Sequence, residues 1–163
     1  MRFRVLFGVG LIIALSASLT ALSIGDEAEE PIDFEKILCP VSKKKVDESA
    51  TREHEDCTVY FCCNNCAKAF EDDDEKFLAR ANHQKVATRQ CKQTKCPKSF
   101  QDVKASTALE VGGVDVTFCC NKCRGWADEL ADGDSIDDQI AKLFGEKVFE
   151  KAFEVIEDDD DDA

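Results

Sequence analysis

Alternating apolar positions mark two short hairpins in this chain. Val59 and Phe61 alternate with polar neighbours between Thr58 and Cys62, and Val116 and Phe118 do so between Val114 and Phe118. Side chains two apart on a strand share a face, so each pair predicts a strand with one buried side. Partner strands are expected over Thr51 to Glu55 and Ala108 to Val111. Gly112 and Gly113 separate the second pair and suit the positive φ angles of a tight turn. Beyond each hairpin the period lengthens. Ala67, Ala69 and Phe70 predict a short helix, and so do Trp126, Ala127 and Leu130, with Asn64 and Asn121 as N-caps. A further helix is expected over Glu75 to Val86, capped by Asp74. A longer one starts at Ser135 and carries Ile136, Ile140, Leu143, Phe144, Val148, Ala152 and Phe153, with Gly145 as a bend. That stripe is read as core, with a protein-partner surface as the alternative. The expected fold class is α+β: two small modules, each a β-hairpin followed by helices, with a long C-terminal helix.

The two hairpins belong to an internal repeat. Shifting the chain by 57 residues aligns Cys39 to Cys66 with Cys96 to Cys123 without a gap, with 12 identities over 28 positions. Cys39, Pro40, Ser42, Val46, Ser49, Glu53, Val59, Phe61, Cys62, Cys63, Asn64 and Cys66 all recur. Four cysteines are therefore shared. Cys57 and Cys91 are not, since they align with Val114 and Phe34. Module one is expected over 32–86, a polar linker over 87–95, and module two with the C-terminal helix over 96–156.

The ends read differently. Arg2 and Arg4 precede an apolar run from Val5 to Leu15, and small residues lead to Ala21-Leu22-Ser23. This predicts a signal peptide over 1–23 and an exported chain, periplasmic or extracellular. The run is short for a membrane span, so no stable membrane insertion is expected once it is removed. An acidic leader (24–31) and an acidic tail (157–163) flank the modules. The net charge is −13, from 21 Lys and Arg against 34 Asp and Glu; without Arg2 and Arg4 it is −15. A surface this acidic repels phosphate and argues against nucleic acid as a partner.

Charge leaves the chemistry to the ten cysteines. Each module places one cysteine before a Cys-Cys pair with 22 residues between them, and another beyond it with two residues between. A hairpin folds the spacer back, so its ends can meet. Soft thiolates suit zinc or copper(I). Cys39, Cys62 and Cys66 can supply three ligands, as can Cys96, Cys119 and Cys123. Cys63 and Cys120 are candidate fourth ligands, although neighbouring strand side chains point to opposite faces. Cys66 and Cys123 fall in a first helical turn, where open N–H groups favour a thiolate. Cys57 and Cys91 are a candidate disulfide. His54 and His83 have no counterpart in the repeat and are read as surface residues. No Ser/His/Asp set, carboxylate pair or phosphate loop suggests an enzyme.

A module this small needs a staple. Structural zinc contributes roughly 10–16 kcal/mol of apparent folding free energy, and a disulfide roughly 2–4 kcal/mol. Besides metal binding, the alternatives are a disulfide-stapled interaction module and a thiol redox protein using the Cys63-to-Cys66 and Cys120-to-Cys123 spacings.

The segment Cys39-Pro40-Val41-Ser42, then Val59 to Cys66, Phe70 and Phe77 resembles the YHS and TRASH domains. These are treble-clef-like modules associated with heavy-metal trafficking, resistance and sensing. The resemblance covers the 28-residue core of each repeat. It implies metal binding by Cys39, Cys62 and Cys66 and by Cys96, Cys119 and Cys123. Module two departs from the pattern, with Thr117, Ala127 and Asp134 where module one has Tyr60, Phe70 and Phe77. Module one is the stronger expectation for a working site.

Overall fold

The computed structural model describes residues 32–133 and 135–156. The signal peptide, leader and tail expected from the sequence lie outside them. Within them the chain is mixed α+β, with three two-stranded antiparallel sheets and five α-helices among the described residues.

Strands β1 (Asp47–His54) and β2 (Cys57–Phe61) form the first hairpin, with His54 opposite Cys57 and Thr51 opposite Tyr60. Its turn, Glu55 and Asp56, takes φ of 52° and 59° without glycine. Val59 and Phe61 are fully buried, as their alternation requires. Helix α1 (Asn64–Asp72) follows directly. Its cap is Cys63, one residue earlier than expected: the Cys63 carbonyl already accepts the N–H groups of Cys66 and Ala67, so Asn64 is helical. Helix α2 (Leu78–Ala87) starts later than expected, with Phe77 at the cap. Asp74 contributes its backbone carbonyl to the Phe77 N–H. Strand β3 (Cys91–Gln93) forms within the segment read as a linker.

The second hairpin is β4 (Leu109–Val111) with β5 (Val114–Val116), and Gly112 and Gly113 turn at φ of 59° and 86°. Helix α3 (Asn121–Gly133) follows. The single long C-terminal helix does not form. The chain makes α4 (Ile136–Phe144), α5 (Glu146–Ala152) and β6 (Phe153–Val155) instead. Gly145 sits between the helices at φ −60° and ψ 150°, an extended conformation that interrupts the helical ladder. The break turns the apolar stripe back on itself: Phe153 lies 5.3 Å from Phe144 and 5.0 Å from Phe149, ring to ring. Strand β6 then pairs with β3, Gln93 opposite Phe153. Ser135 does start α4, in a reciprocal capping box with Asp138.

Two apolar clusters result. One gathers Cys39, Val59, Phe61, Ala67 and Phe70. The other gathers Val111, Val116, Phe118, Leu143, Phe144 and Phe149. Helix α2 packs on α4 and α5, and its Ala79, Val86 and Ala87 reach the second cluster. The C-terminal stripe is therefore core, and only Ile136 remains largely exposed. His83 is not the surface residue expected. From α2 its Nε2 lies 2.8 Å from the Val111 carbonyl, and its ring meets Phe144 edge-on at 4.9 Å. Burial holds its pKa below the ordinary histidine value, against the pull of that carbonyl. No described helix is long and apolar enough to cross a membrane.

Candidate metal centre

Each site begins with a tight turn at its first cysteine. The Cys39 N–H donates to the Lys44 carbonyl at 2.8 Å, and the Lys43 N–H donates back to the Cys39 carbonyl at 2.9 Å. Lys43 takes φ of 61° to close it. Fifty-seven residues on, Cys96 donates to Gln101 at 2.9 Å, Phe100 donates to Cys96 at 2.8 Å, and Phe100 takes φ of 55°. Leu38 bridges Lys45, and Lys95 bridges Asp102. The other two cysteines come from the hairpin and helix. Strand β2 ends at Phe61, so Cys62 leaves the sheet, and Cys66 is the third residue of α1. In the second site β5 ends earlier, at Val116, so Cys119 follows Thr117 and Phe118 out of the sheet, and Cys123 is the third residue of α3.

A glutamine amide braces each arrangement from a different element. In the first site Gln84 of α2 accepts the Tyr60 N–H at 2.8 Å and donates to the Tyr60 and Leu38 carbonyls at 2.9 and 3.0 Å. In the second, Gln93 of β3 accepts the Thr117 N–H at 2.8 Å and donates to the Thr117 and Lys95 carbonyls. The braced residues are 57 apart in each case; the two glutamines are not.

The sulfurs of Cys39, Cys62 and Cys66 all lie within 4.8 Å of one another, and so do those of Cys96, Cys119 and Cys123. Cys62 to Cys66 and Cys119 to Cys123 are both 3.6 Å. Three sulfurs at about 2.3 Å from one ion stand about 3.8–4.0 Å apart, so a set within 4.8 Å closes on such an ion when each sulfur moves by about half an ångström or less. Either cluster could hold a metal. Cys63 and Cys120 stand at the edge of these sets. Their sulfurs lie 3.8 and 3.7 Å from Cys62 and Cys119 but do not join the mutual triangle. His54 and His83 join neither.

Two side chains at the sulfurs were not singled out from the sequence. The Ser42 hydroxyl is 3.0 Å from the Cys62 sulfur, and the Ser99 hydroxyl is 3.2 Å from the Cys119 sulfur. The signal was present, since both serines are identities of the repeat.

The ionisation of the thiols is uneven. Burial opposes ionisation of Cys39, but hydrogen bonds from the Ser42 hydroxyl and nearby N–H groups outweigh it and lower its pKa. The same balance at Cys96, with Ser99, brings it down to about 7. Burial and the neighbouring sulfurs push Cys66 and Cys123 up to about 12. This corrects the expectation that the first helical turn would favour their thiolates. Those N–H groups serve the preceding cysteines: the Cys66 N–H lowers the pKa of Cys63, and the Cys123 N–H lowers that of Cys120. Three adjacent thiolates repel one another, and a bound cation removes that repulsion and takes the place of protons.

Cys57 and Cys91 stand apart from both triangles. Both are buried, and their sulfurs are 3.5 Å apart as free thiols. Closing the expected disulfide would bring them to about 2.0 Å. Comparison with protein-family models, curated proteins and solved structures finds no match for this chain.

Proposed function

We propose that this chain is an exported, non-enzymatic metal-binding protein that takes one soft ion, zinc or copper(I), in each of two three-thiolate sites. The observation that carries this reading is the duplicated triangle: six cysteines in two sets of three, each built from the same turn, hairpin end and helix start. Cys39, Cys62 and Cys66 hold the first ion, and Cys96, Cys119 and Cys123 the second. Sequestration, delivery or sensing of such ions is the role that the resemblance to YHS and TRASH domains supports. The strongly acidic composition favours cations near the surface and disfavours nucleic acid. Export follows from the N-terminal pattern of two arginines, an apolar run and small residues.

Titration with copper(I) or zinc under reducing conditions tests it. The full chain should take up two equivalents. Cys62→Ala and Cys119→Ala should each remove one and leave the other. Uptake of none, or loss of both ions from either single change, contradicts the reading.

Outside the two sulfur triangles, a disulfide staple is favoured where Cys57 and Cys91 meet in the interior. With a dissolved disulfide such as oxidised glutathione, the two thiols would give up two protons and two electrons and leave two glutathione thiols. Peptide mapping after alkylation should then find Cys57 joined to Cys91 and the six ligand cysteines protected by metal. Free alkylation of Cys57 and Cys91 after that treatment contradicts the assignment.

A further inference from the structure

We propose that Ser42 and Ser99 are specificity-determining residues of the two metal sites, their hydroxyls closing the fourth side of each sulfur triangle. The inference deepens the metal reading above and rests on it. Ser42 Oγ is 3.0 Å from the Cys62 sulfur, and its hydroxyl is also in hydrogen-bond reach of Cys39 and Cys66. An oxygen in reach of all three sulfurs stands over their triangle. Ser99 reaches two of its three sulfurs, 3.2 Å from Cys119 and in hydrogen-bond reach of Cys96.

The turn explains how the hydroxyl gets there. In Cys39-Pro40-Val41-Ser42, the N–H groups of Val41 and Ser42 reach the Cys39 sulfur, so one tight turn directs both the first sulfur and the hydroxyl inward. In Cys96-Pro97-Lys98-Ser99, the N–H groups of Lys98 and Ser99 do the same for Cys96. Three of the four residues in each turn are identical, and the varied one is Val41 or Lys98. Cys63 and Cys120, the other candidates for the fourth side, lie at the triangle's edge.

A hydroxyl on that side has a chemical consequence. It is neutral, and it donates one hydrogen bond to the thiolates without adding charge. An ion satisfied by three sulfurs, such as copper(I), finds its site complete. Zinc takes four ligands, and here its fourth neighbour is a weak one. Compared with a fourth thiolate the serines therefore hold zinc less tightly, and compared with no fourth neighbour they hold it more tightly.

The test uses the full chain with cobalt(II) as a spectroscopic probe and zinc competition against a chelating dye. Ser42→Ala with Ser99→Ala should alter the cobalt spectrum and weaken zinc binding by about 10–100-fold, as loss of a ligand-supporting hydrogen bond does. Ser42→Thr with Ser99→Thr keeps the hydroxyl and should restore both. Ser42→Cys with Ser99→Cys should complete a four-thiolate site, raising sulfur-to-cobalt charge-transfer intensity per ion by about a third and tightening zinc binding. The Thr and Cys variants keep the test open if the Ala pair folds poorly. Wild-type spectra and zinc affinity in the Ala pair overturn the proposal. So does a cobalt spectrum that responds to Cys63→Ala and Cys120→Ala and not to the serines. A wild-type chain that binds none of cobalt, zinc and copper(I) instead overturns the metal reading beneath it.

Discussion

The two sulfur triangles share their geometry but not their surroundings. The first follows a long hairpin whose turn residues, Glu55 and Asp56, hold left-handed angles without glycine. The second follows a hairpin of three-residue strands with two glycines at the turn. The first packs Phe70 against Phe61 at 5.4 Å. The second has buried Ala127 at the position matching Phe70, with Gln139 of α4 donating to its carbonyl at 2.8 Å. The aromatic bulk of the second core comes from farther along the chain, as Phe144, Phe149 and Phe153. The comparison teaches that the triangle is specified locally. Both copies share a turn of Cys-Pro-x-Ser, a hairpin end and a helix start, while the glutamine brace and the core behind them come from different elements.

Exchanging the core residues tests this most severely. Phe70→Ala should cost about 3–5 kcal/mol, because nothing else fills that space. Ala127→Phe should cost about 1–3 kcal/mol through overpacking against α4. Chemical denaturation measures both, and a Phe70→Ala chain of unchanged stability would break the comparison.

Acid should release metal from both sites. In the ion-free chain Cys66 and Cys123 keep their protons up to about 12, so a bound ion displaces them and affinity rises with pH. Each displaced proton steepens the dependence by about tenfold per pH unit. At the second site Cys96 also takes up a proton below about 7, so its slope should increase there. Zinc competition from pH 6 to about 8 with single-site variants measures this, and a flat profile contradicts it.

The glutamine braces sharpen the comparison further. Gln84→Ala and Gln93→Ala each leave backbone groups without partners and should each cost about 1–3 kcal/mol. Equal losses in thermal unfolding support equivalent roles; a loss at only one would show that one brace is dispensable. The smallest effect is expected at the turns. Asp56→Gly should stabilise the chain by about 1 kcal/mol by relieving a left-handed non-glycine residue. Destabilisation on denaturant titration would contradict that.

The triangles were legible in the sequence because they are local and duplicated. The spacing, the alternation of Val59 with Phe61 and the recurrence at 57 residues together pointed to the six sulfurs that meet. Ser42 and Ser99 were visible as identities, but a serine carries no spacing signature, so their place at the sulfurs had to come from geometry. Pairing of β3 with β6 was not legible. It joins two three-residue strands far apart in the chain, too short for a period to show. The roles of His83, Gln84 and Gln93 were hidden for a related reason: each serves backbone groups of another element. The sequence marks Gly145 as a bend, and the structure makes it a full break that turns Phe153 back to Phe144.

The most direct test of the central claim is the intact mass of the full chain, purified without chelator, under native and then denaturing conditions. The account predicts a native mass heavier by two metal ions and a denatured mass showing at least the eight cysteines outside the Cys57–Cys91 pair as free thiols. A native mass with no added metal, together with a denatured mass in which all ten cysteines are paired as disulfides, would contradict it.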